Sequence, residues 1–178
     1  MYRCIVLSGL SGSGKSTLAQ HFCSKFDWTF IEGDRFFLKN KPKVELSDGQ
    51  SVSNWDTTEA IDWDSLNVEV TKQLKNNNVI LATFLPRLDL FTFPVFRHIQ
   101  LNTGTNPIEK CITARRVSKR LNTEAKQNRD ELMVREYVYP EYIKTCSIQT
   151  DAVIQVYKDE ERRNIGELTE ELLLLLLI

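Results

Sequence analysis

Residues Gly9 to Ser16 read Gly-Leu-Ser-Gly-Ser-Gly-Lys-Ser and follow directly on the apolar run Cys4 to Ser8. Gly9, Gly12 and Gly14 let the backbone turn so that several N–H groups converge on one point. The helix that follows adds its positive N-terminal end. An apolar strand before the loop and a helix over Lys15–Phe26 after it are the context such an anion cradle requires. The segment therefore reads as a phosphate-binding loop for a nucleoside triphosphate such as ATP. Gly9, Ser11, Gly12, Ser13, Gly14 and Thr17 would surround the phosphates. Lys15 is expected to reach the β- and γ-phosphates, and the Ser16 hydroxyl to hold a magnesium ion.

The rest of the chain alternates short apolar runs with helical spacing. Strands are expected at Cys4–Ser8, Trp28–Glu32, Val79–Thr83, His98–Leu101 and Ala152–Tyr157. Helices are expected at Lys15–Phe26, Trp63–Lys75, Ile108–Leu121, Val134–Ile143 (broken or kinked at Pro140) and Ile165–Leu177. Such alternation implies parallel strands joined by right-handed crossovers. The expected fold is α/β, a three-layer P-loop NTPase arrangement with a parallel five-stranded sheet, in one domain over residues 1–178. Ligands in such sheets bind beyond the carboxyl ends of the strands. That rule gathers Ser8–Gly14, Glu32–Asp34 and Thr83–Pro86 on one rim.

Length and charge exclude some classes. The chain has 178 residues, enough for one sizeable core. A formal net charge of -1 lacks the basic footprint of a duplex nucleic-acid binder. Cys4, Cys23, Cys111 and Cys146 are too far apart in sequence for zinc-ligand spacing and read as reduced structural thiols. The apolar run Leu172–Ile178 is far short of the roughly 20 residues of a membrane span and reads as a helix end on the sheet. No signal peptide precedes the loop, so a protein of the cytoplasm, or of cytoplasm and nucleus, is expected, without nucleic-acid or membrane partners, as monomer or homodimer.

The second expected strand runs into Glu32-Gly33-Asp34-Arg35-Phe36-Phe37. An Asp at the end of the strand beside the cradle can face the γ-phosphate and take a proton from an acceptor hydroxyl. A solvated capping Asp is the plain alternative. Further on, Asn54-Trp55-Asp56 pairs an aromatic ring with a carboxylate. The ring suits a flat base and the carboxylate suits ribose hydroxyls; a core tryptophan beside a helix cap is the alternative.

Four segments taken in order resemble the uridine kinase-like nucleoside kinases, most closely the nicotinamide riboside kinases. They are the P-loop, Asp34-Arg35-Phe36-Phe37, Trp55-Asp56 with Glu59-Ala60, and Val138-Tyr139-Pro140-Glu141-Tyr142. The resemblance implies that Asp34 is the catalytic carboxylate together with Lys15 and helps hold magnesium. It implies that Asp56 binds the ribose diol, that Trp55 stacks on the base, and that Phe37 and Tyr139 belong to the acceptor site. A cationic nicotinamide ring over the indole would gain about 0.5–2 kcal/mol of cation–π attraction. Arg115, Arg116, Lys119 and Arg120 match the family's arginine-rich lid, at about residues 115–135, with Arg115, Arg116 and Arg120 on the nucleotide phosphates. The plain alternative is a basic helix end complementing the helix dipole.

One departure stands out. The family carries a carboxylate at the end of the third strand, and here that position is Ala82. Losing a metal-holding carboxylate weakens binding by about 10–100-fold. Three readings follow: an ATP-dependent kinase of a ribonucleoside 5′-hydroxyl, with nicotinamide riboside the first choice; a kinase of another small hydroxylated metabolite such as gluconate; and a nucleotide-binding protein with weakened or lost catalysis. The chain has no Asn-Lys-x-Asp segment to read a guanine base, which argues against a GTPase switch.

Overall fold

Strand β1 (Cys4–Gly9) is buried along its whole length, as a strand covered on both faces must be. The computed structural model describes residues 2–84, 86–146 and 148–177; the side chains of Thr145 and Cys146 and the terminal Ile178 lie outside the described residues. After β1 come α1 (Lys15–Phe26), β2 (Thr29–Glu32), a hairpin of β3 (Lys43–Glu45) and β4 (Ser51–Ser53), α2 (Trp63–Gln73) and β5 (Val79–Ala82). The second half adds β6 (Arg97–Asn102), α3 (Pro107–Ser118), α4 (Glu124–Met133), α5 (Tyr139–Cys146), β7 (Ala152–Gln155), a small hairpin of β8 (Tyr157–Lys158) and β9 (Glu161–Arg162), and α6 (Ile165–Leu177).

Five strands form one parallel sheet in the order β2-β5-β1-β6-β7. The chain crosses from one side of β1 to the other after β5, so the loop after β1 sits where the strand order reverses. Side chains of β1 alternate between the faces. Ile5 and Leu7 pack with Leu18 and Phe22 of α1 and Leu168 and Leu172 of α6. Cys4 and Val6 pack with Leu66 and Val70 of α2. Each fully buried Leu or Phe contributes roughly 1.5–3 kcal/mol. The Leu-rich end of α6 divides by helical period, with Leu172 and Leu176 buried and Leu174 exposed.

The expected elements are present, with differences at the edges. The last sheet strand stops at Gln155, because Asp159 and Glu160 both adopt positive φ (48° and 65°) and turn the chain into the β8–β9 hairpin. Pro140 does not break its helix. A π turn over Val134–Val138 precedes it, and the Tyr139 N–H donates back to the Val134 carbonyl, so the wider turn admits the proline ring. The hairpin β3–β4 and helix α4 were not expected; Asp48-Gly49 turns the first and Thr123 caps the second through the Lys126 N–H.

The core includes a histidine. Buried His98 on β6 faces the Gln149 carbonyl through Nδ1 (3.0 Å), so that nitrogen carries the proton. Nε2 then accepts from the Ser8 hydroxyl (2.8 Å). Burial pushes the His98 pKa down, against the Gln149 carbonyl and the Asp151 carboxylate. A histidine depressed in the fold is protonated first in the unfolded chain. Its neutral form therefore contributes stability that is full above about pH 6.5 and is lost as pH falls through the lower folded value. His98→Gln should flatten the fall of Tm between pH 7 and 5 relative to wild type; equal slopes in thermal melts would refute this.

Candidate active site

The rim above the sheet encloses a cleft of about 1320 Å³. Its floor is the loop between β1 and α1. Close packing fixes the glycines there. Gly12 and Gly14 have φ of 84° and 96°, a region that favours glycine. A methyl group on Gly12 would lie 2.3 Å from the Ala114 Cβ of α3. Ser11, Gly12, Gly14, Lys15, Ser16 and Thr17 all line the cleft. Gly9 and Ser13 do not; Gly9 lies beneath it, and the buried Ser13 hydroxyl has no hydrogen-bond partner among the described residues.

Lys15 folds back over the loop and donates to the Gly9 and Leu10 carbonyls (2.9 and 3.2 Å). Its ammonium is buried. Desolvation lowers its pKa, and the nearby Asp34 and Glu32 oppose that shift. A buried cation held only by carbonyls, at a helix N-terminus, is a ready partner for phosphate oxygens.

Asp34 sits in the short 3₁₀ turn after β2 and lines the cleft. Burial raises its pKa; Lys15 and Arg115 oppose the rise, and Asp56 adds to it. Phe37, Trp55 and Asp56 line the same end. The Phe37 and Trp55 rings meet edge to face at 5.2 Å. Trp55 is 46% exposed rather than a core residue, and the Lys41 ammonium lies 3.7 Å over its ring. Asp56 is buried and accepts from Arg115 Nη1 (3.3 Å).

The basic cluster divides differently from the sequence expectation. Arg115 is buried, and three of its contacts go to Asp130 at 3.0–3.3 Å. Burial works against its charge, but Asp130 and Asp56 outweigh it and hold the pKa up. Arg116 does not line the cleft; it pairs with Glu131 (3.1 Å). Arg120 does not line it either. It takes φ 50° at the end of α3, where the Leu121 N–H returns to the Arg116 carbonyl in a Schellman motif, a structural stop. Lys119 lines the cleft and binds Asp130 (2.8 Å). Tyr139 packs against Tyr142, away from the cleft lining, at a centroid distance of 6.2 Å. Cys4, Cys23 and Cys111 are free thiols, which burial pushes up to about 12, about 11 and about 12.

Glu32 is the site residue that sequence reasoning left out of its assignments. In the parallel pairing of β2 with β5 it lies opposite Ala82. The carboxylate missing from β5 is thus present one strand away at the same level of the sheet. Glu32 hydrogen-bonds Ser16; burial raises its pKa, as does the neighbouring Asp34 charge. The Ser16 hydroxyl with two raised carboxylates forms an all-oxygen donor set, which suits a hard divalent cation such as magnesium. The signal for it was the spacing Glu32-Gly33-Asp34, with both acids at a strand end.

The topology gives the cleft two ends. On the β2 side lie Asp34, Phe37, Trp55 and Asp56. On the β7 side lie Lys110, Thr113, Val117, Tyr157 and Arg162.

No protein-family model matches the chain. Over 85 residues it is 32% identical to the nicotinamide riboside kinase of Saccharomyces cerevisiae. That stretch is 42% of this chain and 35% of the yeast protein, so the match spans about a third of the curated relative. Among solved structures, a sugar kinase from Janibacter matches with TM-score 0.61 and 18% identity, covering 100% of this chain and 96% of that one. Shikimate kinase from Bacteroides thetaiotaomicron gives 0.58 and 20%, covering 99% of each chain. A gluconokinase from Sinorhizobium meliloti gives 0.56 and 15%, covering 98% and 91%. The five-stranded parallel sheet and its flanking helices are those of these kinases: the chain has the P-loop kinase fold.

Proposed function

We propose that this protein is an ATP-dependent kinase that transfers the γ-phosphate to the 5′-hydroxyl of a ribonucleoside, with nicotinamide riboside the favoured acceptor. The observation that carries this reading is the convergence of Lys15, Asp34, Trp55 and Asp56 on one cleft. In the reaction the acceptor oxygen attacks the γ-phosphorus. The new O–P bond forms as the bond to the bridging oxygen of ADP breaks, and the acceptor proton passes to Asp34. A raised carboxylate pKa makes Asp34 a better proton acceptor than an exposed one. Lys15 neutralises charge on the transferring oxygens. Magnesium, when bound, supplies further charge neutralisation, and Ser16, Glu32 and Asp34 are the residues that would hold it.

Asp56 takes the ribose diol and Trp55 the base. The Trp55 indole offers a cation-attracting face, on which a cationic ring would stack by displacing the Lys41 ammonium now 3.7 Å over it. The similarity to the yeast nicotinamide riboside kinase supports the same acceptor. A small sugar acid is the second reading, favoured by Arg115 and Lys119 beside the acceptor end.

A panel of nicotinamide riboside, uridine, cytidine, gluconate and shikimate with ATP and magnesium tests this. Nicotinamide riboside should turn over best, ahead of uridine by the roughly 2- to 30-fold that cation–π attraction allows. Turnover of gluconate or shikimate alone would establish the second reading, and turnover of none would sink both.

A further inference from the structure

Two consecutive arginines close the chain segment after β7, and they have separate fates. Arg163 is consumed by the fold: its Nη1 donates to the Gln155 carbonyl (2.9 Å) and to Glu171 (2.6 Å). Arg162 pairs with Tyr157 in the hairpin through its backbone, but its exposed side chain lines the cleft and makes no hydrogen bond or ion pair with the described residues. Its guanidinium reaches the phosphate loop closely enough that a methyl group on Gly14 would lie 2.5 Å from Nη2. The other cations lining the cleft are engaged. Lys15 donates to carbonyls, Arg115 and Lys119 bind Asp130, and Lys110 binds Glu160 at 3.1 Å.

The hairpin that carries Arg162 is held in a strained form. Glu160 takes φ 65°, which costs a non-glycine residue free energy and persists only where its surroundings enforce it. Those surroundings are explicit. Lys110 binds Glu160, donates to the Thr103 carbonyl (3.0 Å) and lies 4.1 Å over the Tyr157 ring. The Thr105 hydroxyl also bonds Glu160. These contacts fasten β8–β9 to α3 and fix the direction from which Arg162 enters.

We propose that Arg162 is a binding residue for the non-transferring phosphates of the donor nucleotide. The sheet order decides which phosphates. Asp34 follows β2 at one edge and must face the γ-phosphate. Arg162 follows β7 at the opposite edge, so it meets the nucleotide on its α- and β-phosphate side. An unpaired guanidinium beside a helix N-terminus and a glycine-rich loop binds phosphate oxygens through short, charge-assisted hydrogen bonds. Arg162 acts on the donor, so this role rests on the phosphate-transfer reading but not on the identity of the acceptor.

The test is titration calorimetry of ADP and of ATP, each with magnesium, against wild type, Arg162→Ala and Arg162→Lys, with thermal melts to verify folding. Arg162→Ala should weaken ADP and ATP by the same factor, roughly 10- to 100-fold, the range of one hydrogen bond to a charged group. Arg162→Lys should recover part of the loss. Unchanged ADP affinity in Arg162→Ala overturns the proposal, whether ATP binding is also unchanged or alone is weakened. A wild type that binds neither nucleotide overturns it together with the kinase reading. A wild type that binds both but phosphorylates no acceptor defeats only the reading of the acceptor.

Discussion

Asp34→Asn is expected to lower kcat by roughly 10²–10⁴-fold, the usual contribution of a positioned general base, while ATP still binds at saturating magnesium. The amide keeps the shape of the side chain and loses its capacity to take a proton. Asp34 lines the cleft with Phe37, Trp55 and Asp56, so once excess magnesium offsets the lost carboxylate the loop should still hold the donor phosphates. The pH profile carries a second expectation. Burial raises the Asp34 pKa, so the acid limb of kcat/KM should fall above the ordinary carboxylate range. Full activity in the variant would show that another group accepts the proton.

Glu32→Gln should raise the magnesium concentration needed for half-maximal ATP binding by about 10–100-fold. The reasoning is positional. Glu32 stands opposite Ala82 in the pairing of β2 with β5 and shares a hydrogen bond with Ser16. Equilibrium binding of ATP across a magnesium series reads the effect without turnover; an unchanged midpoint would leave the metal to Ser16 and Asp34 alone. Stability should move the other way. A carboxylate raised in the fold costs stability above its folded pKa, and that cost fades as pH falls through it. Removing the charge from Glu32 should therefore raise the Tm of the ligand-free protein at neutral pH, and the difference from wild type should shrink on acidification.

The features legible in the sequence were those with a local cause. The glycine pattern announced the loop, and continuous apolar runs announced strands covered on both faces. The parallel sheet followed from their alternation with helices. What escaped depended on contacts between distant residues. Nothing near Arg115 in the chain shows that it pairs with Asp130 and Asp56, both far from it in sequence. Glu32 gained meaning only from standing opposite Ala82, which lies in another strand far along the chain. The two arginines at 162 and 163 are indistinguishable until the Asp159-Glu160 turn points them to opposite sides. Two misses had usable local signals. Asp48-Gly49 between Val44 and Val52 is a hairpin turn pattern, and Thr123 is a good helix cap.

The contact of Gly12 with Ala114 also governs how the molecule can move. It seats the second half of α3 on the phosphate loop, because the Ala114 Cβ fills the space a side chain on Gly12 would need. The next place where the helical path is interrupted is Arg120, at its left-handed φ. Were α4 to close over a bound nucleotide, the left-handed turn at Arg120 is the break in the helical path where it would bend. Asp130 lies on α4 and is the shared partner of Arg115 and Lys119, so a displacement of α4 would free Lys119 and leave Arg115 on Asp56.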